Sequence, residues 1–297
     1  MSEIVSLRCG ELQLDLAPAV GGSIAALYSE RGGARYDWLR PAGRQALLAR
    51  DPAGMASFPL IPYCNRIRHG RFHFQGRDVV LPLNRSPAPH AIHGVAWDLP
   101  WMVLACDHRS AQLQLDYPGG DWPYRFRATQ FFQLFEDRLT VTMEVQNCDS
   151  EVMPIGLGHH PYVPHLPDTR LTVATSDMWF SDAELMPTEL GRPPLLDLLR
   201  TGVNLDRVVQ DNNFIGWDGL ARVDFGRIRS LILRAQSPFD FFVLYSPKGK
   251  DHFCIEPVSN CTDWLNLNSY PSGQVGGALL APDDTYRASF ELVTHWV

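Results

Sequence analysis

Leu139, Val141, Met143 and Val145 alternate with polar residues, the cleanest period of two in the chain. Successive side chains of a strand point to opposite faces, so this run predicts a half-buried β-strand. The same alternation predicts strands at Leu12, Leu14 and Leu16, at Leu113, Leu115 and Tyr117, and at Tyr286, Ala288, Phe290 and Leu292. Shorter apolar runs at 24–28, at Leu171 and Val173, at Leu231 and Leu233, and at 239–245 read the same way. Phe72 and Phe74 lead into Gln75-Gly76, a turn pair, and 79–83 returns as the hairpin partner. One segment, 195–209, has helical character, weakened by Gly202. No repeat and no distinct linker interrupts the pattern. The expectation is one domain over 1–297, an all-β fold of large stacked antiparallel sheets, a β-sandwich. A fold of alternating strands and helices is excluded on the same ground.

Composition narrows this further. The chain has 297 residues, and 45% are hydrophobic, ample for a sizeable core. Gly and Pro, 23 of each, provide the turns that many strands need. The net charge of −7 and the lack of a basic run argue against a nucleic-acid partner. No apolar stretch is long enough to span a bilayer, so no membrane partner is expected. No secretory signal is read at the N-terminus, and a cytoplasmic location follows as an expectation. The six dispersed cysteines, with no C-x-x-C pair, then read as reduced thiols.

Several polar clusters interrupt the apolar pattern. In Gly156-Leu157-Gly158-His159-His160-Pro161-Tyr162, proline biases His160 towards extended backbone. Neighbouring side chains then face opposite ways, and His160 shares its face with Tyr162, a ring that suits the flat face of a sugar. Histidine titrates near neutral pH and can move protons there. The plainer alternative makes one histidine structural and the other a surface residue. Asn65-Arg66-Ile67 offers an amide beside a guanidinium, or else a salt bridge at a strand end. His90 and His93 are close in sequence, but no third ligand accompanies them, so no metal is expected. Asp211, in Asp211-Asn212-Asn213-Phe214, reads as a turn residue or as a carboxylate for sugar hydroxyls. Glu256 lies in the apolar run that starts at Phe253. Apolar surroundings would raise its pKa towards a useful range for a general base, and Pro257 alternatively marks an exposed edge strand. Nucleotide-binding glycine loops and a serine-nucleophile elbow are absent, which leaves histidine and carboxylate chemistry without a cofactor.

These stretches, in this order, resemble the aldose 1-epimerase (galactose mutarotase) family. The resemblance runs from Pro18-Ala19-Val20-Gly21-Gly22 to the last strand. Asn65-Arg66-Ile67 with Gly70-x-Phe72 is similar to the family's N-R-I segment, and Ile92-His93-Gly94 to its L-H-G segment. His160-Pro161-Tyr162 is similar to its H-x-Y motif, Asp211 with Phe214 to its D-x-x-F, and Glu256 to its catalytic glutamate. The resemblance implies a galactose mutarotase-like supersandwich, with Glu256 as base and His160 as acid in opening the sugar ring. It implies that Asn65, Arg66, His93, Tyr162 and Asp211 bind a small-molecule sugar. An anionic sugar, such as a sulfosugar or a hexose 6-phosphate, is an alternative substrate, with Arg68 and Arg71 as candidate cations. A non-catalytic carbohydrate-binding sandwich and a two-carboxylate glycoside hydrolase are the competing classes.

Overall fold

The computed structural model describes residues 4–297 and is built mostly of antiparallel strands. The alternating runs are all strands, usually a residue or more longer than the apolar signal. The clean period at 139–145 lies in Arg138–Asn147, whose odd positions are buried from Leu139 to Asn147. The last run extends over Thr285–Trp296. These two strands pair at the centre of a nine-stranded sheet that also contains Ser110–Tyr117, Phe126–Leu134, Leu220–Phe225 and Arg229–Ala235. A four-stranded sheet forms from the first strands, Val5–Cys9 to Ala34–Asp37. The Gln75-Gly76 turn joins Arg71–Phe74 to Arg77–Val80, and both turn residues have positive φ, at 48° and 79°. That is the backbone of a tight two-residue hairpin.

A second large sheet, of eight strands, carries the polar clusters. It runs from Pro187–Gly191 at one edge through Asp177–Ser181, Gln210–Ile215, Phe241–Ser246, His252–Val258 and Gly158–His159 to Pro59–Leu60 at the other. Tyr162–Pro164 also pairs with His252–Val258. The two faces of this sheet differ. Phe214, Phe242, Leu244, Phe253 and Ile255 join one continuous core with Val141, Leu233 and Phe290 of the nine-stranded sheet. Burying each such side chain contributes about 1.5–3 kcal/mol. Tyr162, Ile215, Val243, Cys254 and Val258 belong to a separate cluster with Phe58 and Trp97. The polar clusters gather beside this second face.

Two expectations need correction here. The helix spans only Leu195–Thr201, because Gly202 adopts φ +87° and the chain turns into the short Val203–Asn204 strand. Glu256 and Pro257 are not on an edge. His252–Val258 is an inner strand, paired with Phe241–Ser246 on one side and with Gly158–His159 and Tyr162–Pro164 on the other.

Candidate active site

The His160–Pro161 step explains how an inner strand can contain proline. Gly158 pairs with Val258 and Tyr162 with Cys254, so the register is the same on both sides of the break. Between them, His160 stands opposite Glu256, and Pro161 and Pro257 lie in a stretch where the ladder is interrupted. Residues that face one another on the same side of a sheet have neighbouring Cβ atoms. His160 Nε2 lies 3.2 Å from Glu256 Oε1. Both side chains are buried, at 7% and 2% exposure. On its other side the His160 N–H donates to Phe58 O at 3.0 Å, which fixes the segment from both edges. Gly158 serves packing here: a Cβ on it would come within 2.7 Å of Cys64 Sγ.

The His160 ring is held by aromatic neighbours. It stacks on Phe58 at 4.7 Å and on Tyr162 at 4.8 Å between centroids, and meets the His93 ring edge-on at 5.3 Å. Phe58 has no polar signature and was not legible as a site residue. His159 points the opposite way, as alternation requires. It is fully buried, with Ser57 Oγ on its Nδ1 and Gln130 Oε1 3.3 Å from its Nε2. Neither histidine is therefore a surface residue, contrary to the plainer sequence alternative.

Arg66 enters from the Arg66–Ile67 strand, which pairs with Ala91–Ile92. Its Nη1 donates to Asn65 Oδ1 at 3.0 Å and its Nη2 to Asp211 Oδ2 at 3.2 Å. Asp211 projects from Gln210–Ile215, a strand rather than the turn that its composition suggests. The loop with His93 is fastened to the same place, since the His93 N–H donates to Asn65 O at 2.9 Å. Asn65 and His93 both have left-handed backbone, with φ of 58° and 63°. Non-glycine residues adopt this conformation at a cost, and such positions concentrate at functional sites. The sequence candidates Asn65, Arg66, His93, His160, Tyr162, Asp211 and Glu256 thus share one surface of the eight-stranded sheet. Other candidates are elsewhere. His90 Nδ1 accepts the His69 N–H, and its Nε2 lies 3.5 Å from Glu184. Arg68 reaches Asp182 at 3.3 Å and Asp263 at 3.8 Å, and Arg71 is exposed at the start of its hairpin.

Burial sets the electrostatics. It pushes the Glu256 carboxyl well above its ordinary value; Asp211 adds to this and Arg66 opposes it. Burial drives the His160 imidazole down to about 3, and Arg40, His252 and Arg66 push the same way. Both shifts disfavour charge and so favour a neutral imidazole beside a protonated carboxyl over the ion pair. His93 is likewise held well below its ordinary value, first by burial and then by His160 and Arg66. Its Nδ1 and the Nδ1 of His160 are buried without a hydrogen-bond partner. Among the described residues one group has the donor set for a metal ion: His160, Cys254 and Glu256 bring their ligand atoms within 4.8 Å of one another. This is not the His90/His93 pair that drew attention in the sequence.

A broad antiparallel sandwich with a buried histidine–glutamate contact between two cross-strand neighbours marks the class of protein. Comparison with known proteins makes it specific. Residues 14–292 match the family model described as aldose 1-epimerase. The chain is 32% identical over 306 residues to the uncharacterized protein YphB of Escherichia coli K12, covering 99% of each. It superposes, with a TM-score of 0.88 and 29% identity, on an Escherichia coli K12 structure proposed to be an aldose 1-epimerase, over 99% of each chain. A galactose mutarotase-like protein from Clostridium acetobutylicum shares the fold, with a TM-score of 0.86 at 20% identity over 98% of this chain and 95% of that one. The chain belongs to the aldose 1-epimerase family.

Proposed function

We propose that this protein is a mutarotase, which interconverts the α and β anomers of an aldose by opening and closing its ring. The observation that carries the reading is the His160–Glu256 contact: an acid–base pair 3.2 Å apart, buried, and opposite one another in an inner sheet. Ring opening needs one group to take the anomeric hydroxyl proton and another to deliver a proton to the ring oxygen. Glu256 has the first role and His160 the second. The proton that rests on Glu256 moves to His160 across their contact, giving carboxylate and imidazolium without changing the net charge. Sugar hydroxyls that donate to Glu256 favour that form, because hydrogen bonds to a carboxylate stabilise its charge. Glu256 then accepts the anomeric proton, and His160 protonates the ring oxygen as its bond to C1 breaks. Rotation about C1–C2 and the reverse transfers yield the other anomer and restore the pair.

The surrounding groups position the sugar. Arg66 and Asp211 form an ion pair with donors and acceptors still available, Asn65 holds the Arg66 guanidinium, His93 offers its unpartnered Nδ1, and Tyr162, itself covered by Arg40, stacks on the His160 ring and holds it in place. A binding module would need no pair of matched acid and base, so the buried dyad favours an enzyme. The reading is tested by NMR exchange between anomers over a panel of neutral and acidic sugars, before and after exhaustive chelation. Acceleration that survives chelation is expected. Its loss with EDTA and recovery with zinc would instead assign the His160, Cys254 and Glu256 set to a metal.

A further inference from the structure

We propose that the catalytic pair doubles as an inhibitory zinc site, in which a zinc ion held by His160, Glu256 and Cys254 shuts the enzyme off reversibly. This inference rests on the mutarotase reading and adds a regulation of the same site. Cys254 precedes Glu256 by two residues in the inner strand His252–Val258, so their side chains leave the sheet on one face. Tyr162 stands opposite Cys254, and His160, two residues before it, stands opposite Glu256. Sulfur, imidazole and carboxylate therefore converge from neighbouring positions of two paired segments. A ring nitrogen of His160, Cys254 Sγ and a Glu256 carboxylate oxygen all lie within 4.8 Å of one another, and the three residues are buried.

The geometry is close to what zinc requires. Bonds of about 2.0–2.3 Å to nitrogen, oxygen and sulfur at tetrahedral angles place the ligand atoms about 3.3–3.7 Å apart. His160 Nε2 and Glu256 Oε1 are already 3.2 Å apart. Closing the sulfur edges from at most 4.8 Å to that spacing takes a shift of about 1.2 Å or less. Nothing holds the sulfur back. The thiols of Cys106, Cys148 and Cys261 each donate to a backbone carbonyl, whereas Cys254 Sγ has no such acceptor among the described residues.

The charge closes as well. Binding displaces the thiol proton and the carboxyl proton to solvent, and thiolate and carboxylate then balance the two positive charges in a buried place. A thiolate beside an imidazole selects zinc over magnesium and calcium, which take oxygen ligands. His160 Nδ1 has no hydrogen-bond partner, so no group behind the ring fixes it as a permanent ligand. Three protein ligands without that support make a site that takes up zinc and releases it. The bound ion silences the chemistry by occupying lone pairs. His160 Nε2 on zinc cannot carry a proton to the ring oxygen, and the ligating Glu256 oxygen cannot accept from the anomeric hydroxyl. The sugar has to bring those two oxygens to the same place, so ion and sugar compete.

The test follows anomer exchange by NMR on the best sugar while zinc chloride is added to the chelated full chain, in the parent, Cys254→Ser and Cys106→Ser. Saturating zinc should lower kcat/KM at least about tenfold, high sugar should relieve the inhibition, and EDTA should restore the rate. Magnesium chloride at the same concentration should have no effect. Cys254→Ser, compared with its own zinc-free rate, should weaken the inhibition constant about tenfold or more. Cys106→Ser removes the exposed thiol and should leave the constant as in the parent. Cobalt(II) titrated into the parent gives a reading independent of any variant: a thiolate-to-cobalt charge-transfer band is expected, lost on adding zinc or sugar. A rate indifferent to zinc, an inhibition constant unmoved in folded Cys254→Ser, inhibition abolished by Cys106→Ser, or a cobalt complex without the thiolate band overturns the inference and leaves the mutarotase reading standing. No exchange of any sugar by the folded, zinc-free parent overturns both.

Discussion

At the scale of single residues, the consequential fact is that two adjacent histidines lead separate lives. His160 joins Glu256, and His159 is locked between the sheets by Ser57 and Gln130. A pair that shares one proton has a pH dependence of its own. Below the raised pKa of Glu256 and above the His160 value of about 3, the proton count of the dyad does not change. We therefore expect kcat/KM, measured by anomer exchange, to stay level from about pH 5 up to the raised value of Glu256. A break near the ordinary histidine value of about 6.5 would mean that His160 titrates alone. His159→Gln should act differently, because it disturbs a buried hydrogen-bond network and not the chemistry. The expected cost is about 1–3 kcal/mol in urea unfolding, with most of the rate retained. A rate loss as large as that of His160→Gln would contradict this division.

At the scale of elements, the site depends on the exact crossing of short segments. Gly94 has φ +74°, and a Cβ on it would lie 2.0 Å from Ile61 O. Val95 N–H and Ala96 N–H both donate to that same oxygen, so the loop that carries His93 is pinned there. Gly94→Ala should therefore both destabilise the fold, by about 1–3 kcal/mol or more, and raise KM by displacing His93. Unfolding midpoints and KM like the parent's would show that the loop can yield. Much of this organisation was legible in advance. The strands were visible because one buried face imposes a period of two, and the hairpin because Gln75-Gly76 accepts positive φ. The seven candidate site residues came from polar groups that interrupt apolar runs together with the resemblance to the family's motifs. What was hidden depends on pairing between distant segments. Pro257 suggests an edge until Pro161 is found opposite the same interruption, and the sequence of either strand cannot reveal that. Phe58 resembles any core residue, and Arg40 any surface arginine, until the register places them beside Tyr162.

At the scale of the whole molecule, the site burdens stability with buried, uncharged histidines. His93, His159 and His160 are all held below the ordinary histidine value by burial, the last two at about 3. Their folded pKa values lie below the unfolded value of about 6.5, so the unfolded chain binds more protons in this window. Their contribution is full above about pH 6.5 and is lost as pH falls towards the folded values. Glu256 has the opposite sign, since its raised folded pKa favours the folded state below that pKa and ceases to do so above it. Below about pH 6.5 these three histidines take up protons on unfolding, as do His90 and His252, which burial also holds below the ordinary value, and Glu256 opposes them. Each proton of the difference is worth about 1.4 kcal/mol per pH unit. The urea midpoint should therefore fall as pH drops from 7 to 5, and His159→Gln should flatten the slope. A midpoint that rises over that range would mean that these histidines are charged in the folded protein.

The central claim is that His160 and Glu256 act as one acid–base unit on a sugar ring. It is tested most directly by measuring anomer exchange on the best sugar for the parent, His160→Gln, Glu256→Gln and the double variant. Each single change should lower kcat by about 10²–10⁴-fold, and the double change should cost far less than the product of the two. A Glu256→Gln protein that still exchanges anomers at the parent rate would contradict the claim.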